Sequence, residues 1–213
     1  MEWLASFTDL VLHLDKHLVF FVQQYGDWVY ALLFAIIFTE TGIVIAPFLP
    51  GDSLLFVAGA LCVTEGMSLP LLMVLLVAAA ILGDALNYSI GHWFGDALIK
   101  RTRLISAEKL QYTEQFFEKH GPKTIVIARF LPIVRTMAPF VAGFGGMRAK
   151  HFFLYNVTGG LLWVVSLTLA GYLFGNIPFI KNNLTAVILV IIFVSILPGI
   201  IAVLRARAAA KRS

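Results

Sequence analysis

A chain of 213 residues with a single cysteine has about the length of one domain and no disulfide framework. Hydrophobic residues make up 60% of it and charged residues 13%, against roughly a quarter charged in a soluble domain. With a mean hydropathy of +0.89, water is excluded as the only solvent and a membrane protein is expected. The net charge of +4 gathers near the C-terminus and in one loop, which argues against a nucleic-acid partner and for anchoring by membrane topology.

In segment 1–25, Leu4, Phe7, Val11, Leu14, Leu18 and Phe21 recur at three- and four-residue steps, with Asp9, His13, Lys16 and Gln23 opposite them. That stripe predicts an amphipathic helix lying along the membrane interface. Glu2, Asp9 and Asp15 stand where a signal peptide would be basic, so no cleavable signal is expected. Segment 28–63 is apolar but broken by Pro47, Pro50 and Gly51; Cys62 within it reads as a packing residue. A clear span is predicted at 69–95, and a cytoplasmic amphipathic helix at 105–120. Segment 124–147 is apolar again, interrupted by Pro132, Pro139 and its glycines. Clean spans follow at 152–174 and 184–204, and residues 205–213 form a basic tail.

Orientation follows from lysine and arginine. Loop 96–123 carries Lys100, Arg101, Arg103, Lys109, Lys119 and Lys123, and the connector before Phe152 carries Arg148 and Lys150. The tail adds Arg205, Arg207, Lys211 and Arg212, whereas connectors 64–69 and 175–183 hold Lys181 between them. The basic group is therefore assigned to the cytoplasm. Span 69–95 then runs inward and 152–174 outward, so 124–147 must enter and leave on the cytoplasmic face as a re-entrant hairpin. Segment 28–63 is either one span with a fragment or a second hairpin from the external face, the second choice placing the N-terminal helix outside. "APFLPGD" (46–52) and "ARFLPIVR" (128–135) share Phe-Leu-Pro. The expected fold is an all-α polytopic membrane protein: an inverted-topology repeat of two re-entrant helical hairpins plus transmembrane helices, with an N-terminal amphipathic helix.

Glu40, Asp52, Asp84, Arg129 and Arg135 fall in these oily segments. Facing lipid, the five would cost on the order of 12–17 kcal/mol on insertion scales, so they must face one another or a wet cavity. One reading is structural ion pairs pinning the hairpins together. The other is an anion site: Arg129, Arg135 and the Thr136 hydroxyl near broken-helix ends suit a phosphate, which arginine grips bidentately, and freed backbone N–H groups add to it. Asp52 and Ser53 look like the N-cap region of a half-helix. A carboxylate in a low-dielectric site can collect a proton from one side and release it to the other, which makes Glu40 the proton-coupling candidate, with Asp52 sharing the role or only capping and pairing. Asp84 and Tyr88 share a helical face with Gly91 and are supporting candidates. In 151–175, rich in Gly, Ser and Thr, tight helix packing is the preferred reading, although Asn156 could line the path. His13, His17, His120 and His151 are scattered, so neither metal nor cofactor is assigned, and no nucleophile–base pair or nucleotide fingerprint points to an enzyme.

The run from Glu40 to "FLPGDSLL", "GDALNY" with "IG", "ARFLPIVRT" with "PFVAG", and "YNVTGGLLWV" together resemble the bacterial DedA family of inner-membrane proteins. That family lies within a wider superfamily that includes eukaryotic SNARE-associated (VTT-domain) scramblases. The resemblance covers nearly the whole chain and places Glu40, Asp52, Arg129 and Arg135 on the family's acidic and basic functional positions. It implies lipid transport in the bacterial inner membrane: a flippase for undecaprenyl phosphate or a related anionic phospholipid, linked to the proton motive force. Relatives are also tied to phosphatidylethanolamine handling and to resistance against cationic antibiotics. The expected partners are a membrane lipid and protons, with a homo-oligomer left open. The rival readings are a cation/proton antiporter and a non-transporting envelope-maintenance factor.

Overall fold

The computed structural model describes residues 14–43, 51–101, 107–175, 177, 178, 187 and 190. The expected turn of the first hairpin, nearly all of the span at 184–204, the basic tail and the first half of the N-terminal helix lie outside the described residues. Every regular element among the described residues is helical. In chain order these are α1 (Leu14–Tyr25), α2 (Trp28–Gly42), α3 (Gly51–Thr64), α4 (Leu69–Arg101), α5 (Ala107–His120), α6 (Thr124–Ala128), α7 (Pro132–Phe144) and α8 (Ala149–Phe174). A 3-10 turn, Gly121–Lys123, joins α5 to α6.

Length sorts these helices into two kinds. Leu69–Gly95 within α4 and all of α8 are long and apolar enough to cross a bilayer, which takes about 20 residues. α2 has 15 residues, α3 has 14 and α7 has 13, so each is apolar but too short. The break between α6 and α7 has a local cause. Pro132 opens α7, where its missing N–H costs nothing, and it forces the residue before it out of helical backbone. Leu131 is accordingly extended, with φ −123° and ψ 104°.

The short helices clasp the long ones. α2 and α7 pack along α4, α3 and α6 pack along α8, and α4 crosses α8. Two of these crossings have matching contacts. Gly59 of α3 abuts the Thr168 carbonyl, and Gly171 of α8 abuts the Phe56 carbonyl. At the other crossing, Gly143 of α7 abuts the Tyr88 carbonyl, and Gly91 of α4 abuts the Phe140 carbonyl. A Cβ at any of the four would run into backbone, so glycine lets the helices approach to backbone contact.

Apolar packing divides into clusters. One joins Leu33, Ile37, Leu55, Leu72, Leu76, Ala80 and Trp163; another joins Tyr88, Ile125, Ala128, Val134 and Phe152. Asp84 on α4 and Asn156 on α8 come between residues of the first cluster and residues of the second along their own helices. The polar groups therefore occupy the seam between two oily cores. On the far face of α8, Leu154, Leu161, Leu162 and Leu173 are exposed. That pattern suits a lipid solvent and would be a liability in water.

Candidate functional site

The seam holds two arginine-centred clusters. Arg135 lies in the first turn of α7, which Pro132 starts, and its guanidinium is forked between two carboxylates. Nη2 donates to Oε1 of Glu40, in the last turn of α2, while Nη1 donates to Oδ1 of Asp52, in the first turn of α3, at 2.8 Å. The same Asp52 oxygen accepts the indole N–H of Trp163 at 2.8 Å. The Trp163 ring also covers the Arg135 guanidinium, whose central carbon is 4.9 Å from the ring centroid, within cation–π range. Glu40 is sealed, its side chain 1% exposed, whereas Arg135 keeps 14% and Asp52 21%. The accessible side of the cluster is thus the Arg135–Asp52 pair. Gly51 lies directly against the Glu40 carboxylate, where a Cβ would collide with it.

Arg129, at the break after α6, points elsewhere. Its Nη2 donates to Oδ2 of Asp84 and, at 2.5 Å, to Oδ1 of Asn156. Asn156 in turn donates to the Ile81 carbonyl at 3.0 Å. Glycine supplies the room: a Cβ at Gly159 would stand 3.1 Å from Cδ and Nε of Arg129. The side chains of Arg129 and Asp84 are 3% and 6% exposed, so this pair is closed to solvent. The two clusters share Trp163, whose ring centroid is 5.9 Å from the Arg129 guanidinium carbon.

Asn87 ties the first cluster's scaffold together. Its amide donates to the Thr41 carbonyl at 3.2 Å and to the Thr136 carbonyl at 3.0 Å, so it links the end of α2 to the start of α7. Tyr88 donates to the Met147 carbonyl at 2.5 Å and stacks on Phe152. That contact fixes the far end of α7 and places Tyr88 outside both arginine clusters. Ser53 is fully buried and its hydroxyl has no hydrogen-bond partner among the described residues. Among the described residues, no group of three His, Cys, Asp or Glu side chains is placed to hold a metal.

Several sequence expectations change in detail. Arg129 and Arg135 both lie near one indole ring, but Arg129 is engaged by Asp84 and Asn156 and not by the acids of the first broken segment. Asp52 and Ser53 sit inside the first turn of α3, and the Asp52 carboxylate reaches across to α7 and α8. Thr136 contributes its carbonyl to Asn87. Asn156, read from sequence mainly as packing, is a direct ligand of Arg129. Trp163 and Asn87 were not singled out from sequence. A signal for Trp163 was available: tryptophan favours the membrane interfaces, yet this one lies in the middle of an apolar helix.

A model of the VTT domain matches residues 49–173. Over its whole length the chain is 52% identical to protein DedA of Escherichia coli (strain K12), covering 99% of that protein. It is 40% identical to the inner membrane protein YqjA of the same strain, across 71% of this chain and 70% of the relative. An uncharacterized membrane protein of Mycobacterium tuberculosis (strain ATCC 25618 / H37Rv) is 39% identical across 85% of this chain and 81% of its own length. No solved structure matches the chain. A VTT domain over most of the chain and full-length similarity at this level place the protein in the DedA family of membrane proteins.

Proposed function

We propose that the protein is a lipid translocase that moves undecaprenyl phosphate, or a related anionic phosphate-bearing lipid, between leaflets of the bacterial inner membrane, driven by proton exchange. The observation that carries this reading is the forked Arg135: a guanidinium buried on one side by Glu40 and held on its accessible side by Asp52. A phosphate matches the fork geometry of arginine as well as a carboxylate does. It can therefore take the place of Asp52 when that group gives way. Arg129 adds positive charge near Trp163, and Glu40, with Asp52, carries the proton whose gain or loss decides whether Arg135 is held or released. The hydrocarbon chain stays in the bilayer while the headgroup passes through the seam.

The short apolar helices support re-entrant hairpins on this reading, since α2, α3 and α7 cannot each cross a bilayer alone. The matched glycine crossings support an inverted repeat. The lysine and arginine distribution supports a multi-pass chain with a cytoplasmic C-terminus.

The test is reconstitution in liposomes with a fluorescent prenyl phosphate and an imposed pH gradient. Wild-type protein is expected to move the lipid between leaflets, and Arg135→Ala is expected to abolish that movement. Mass spectrometry of lipids that co-purify should find a lipid phosphate with wild type and lose it with Arg135→Ala. Undiminished movement by Arg135→Ala defeats the assignment. Cation flux in vesicles free of any phosphate lipid substrate would favour an antiporter.

A further inference from the structure

We propose that Trp163 is a headgroup-binding residue of this site and that Asp52 Oδ1 marks the place a lipid phosphate oxygen takes. The inference depends on the lipid-phosphate reading above and adds a donor to it that charge alone does not reveal. Trp163 is 1% exposed and lies mid-helix in α8. A buried indole N–H needs an acceptor, and here the acceptor is the oxygen that Arg135 also uses. Trp163 Nε1 and Arg135 Nη1 both approach Asp52 Oδ1 at 2.8 Å, from α8 and α7 respectively.

Two donors from different helices therefore aim at one point. That point holds an anionic oxygen belonging to a side chain 21% exposed, the most accessible member of the cluster. When Asp52 is displaced, both N–H groups lose an anionic partner, and leaving them unpaired in this setting is costly. Another anionic oxygen arriving at the same point satisfies both together. A lipid phosphomonoester suits this exchange, because its terminal phosphate offers free oxygens and replaces the charge that Asp52 withdraws.

The indole ring has a second role. Its face lies against the Arg135 guanidinium, with the Arg129 guanidinium at slightly greater distance. It thereby fixes the plane in which Arg135 presents its remaining donors. A residue that served only to fill the core would need the ring and not the N–H. Phenylalanine separates the two roles, since it keeps an aromatic face and deletes the donor.

The experiment uses the full-length protein in micelles containing either phosphatidic acid or phosphatidylcholine. Trp163→Phe is expected to bind phosphatidic acid about tenfold more weakly than wild type, the loss typical of one charge-assisted hydrogen bond, with phosphatidylcholine binding nearly unchanged. Trp163→Leu, which loses the ring as well, is expected to bind more weakly still. Should Trp163→Phe bind phosphatidic acid as tightly as wild type, this inference fails while the translocase reading stands. Should wild type not distinguish the two lipids, both fail. A variant with Trp3, Trp28 and Trp93 changed to Phe leaves Trp163 as the one tryptophan and supplies a second readout under tryptophan-selective excitation. Its emission is expected to shift saturably with phosphatidic acid and not with phosphatidylcholine. Unchanged emission on a protein that has bound the lipid also overturns the proposal.

Discussion

The two arginines of the seam both lie within about 6 Å of one tryptophan ring, yet their surroundings differ in kind. Arg129 is enclosed by Asp84 and Asn156 from the two long helices α4 and α8, and almost nothing of it reaches the surface. Arg135 is gripped by Glu40 and Asp52 from the ends of two short helices, and part of it remains accessible. The first arrangement has a single acid for a single base and no way in. The second has two acids competing for one base, one acid sealed and one open. Similar ion pairs thus divide into a fixed joint and an exchangeable one, and the difference lies in which elements supply the acids.

Breaking the closed joint should have the largest effect on folding. Asp84→Ala strands a buried guanidinium, and about 3–5 kcal/mol of stability should be lost, measured as a fall in the thermal midpoint of the protein in detergent. Removing the other ligand of Arg129 is milder. Asn156→Ala deletes one hydrogen bond to a charged group, expected to cost about 1.5–3 kcal/mol by the same assay. A midpoint unchanged in either variant would show that Arg129 does not depend on these partners.

Changes at the open joint should instead separate activity from stability. Gly51→Ala drives a methyl into the Glu40 carboxylate, which must shift against Arg135; lipid movement should fall sharply, with overpacking costing about 1–3 kcal/mol of stability. Asp52→Asn keeps the shape and an acceptor oxygen and removes the charge at the more accessible edge, so it should cost less stability than Asp84→Ala. Its lipid movement should fall, which flux measured beside wild type under the same conditions would reveal. If Asp52→Asn unfolded the protein as Asp84→Ala does, the distinction between the two joints would collapse.

Hydropathy alone carried the helical class and the two long apolar helices, because a run of twenty or more oily residues has few alternatives. The charged residues were also legible as a set, since each is too costly in lipid to be incidental. Their pairing was not. Arg129 and Arg135 lie six residues apart on either side of Pro132, and that proline turns the chain so that the two guanidiniums diverge to different helices. A linear reading merges them into one clamp. Asn156 was hidden because the small residues around it, Gly159 and Gly160, also signal close packing; here they serve packing and leave space for the arginine. Asn87 acts through carbonyls of Thr41 and Thr136, and backbone acceptors leave no mark in a sequence.

The interlocked crossings bear on how the chain can be assembled. Because α3 is seated on α8 and α7 on α4, neither the segment up to Arg101 nor the segment from Ala107 can complete its own interior. Each would leave its ionic side chains without counter-charges: Glu40, Asp52 and Asp84 in the one, Arg129 and Arg135 in the other. Severed between Arg101 and Ala107 and produced as two polypeptides, the halves would be obligate complements, insoluble apart and rejoined by the same charges and glycines that join them in the single chain.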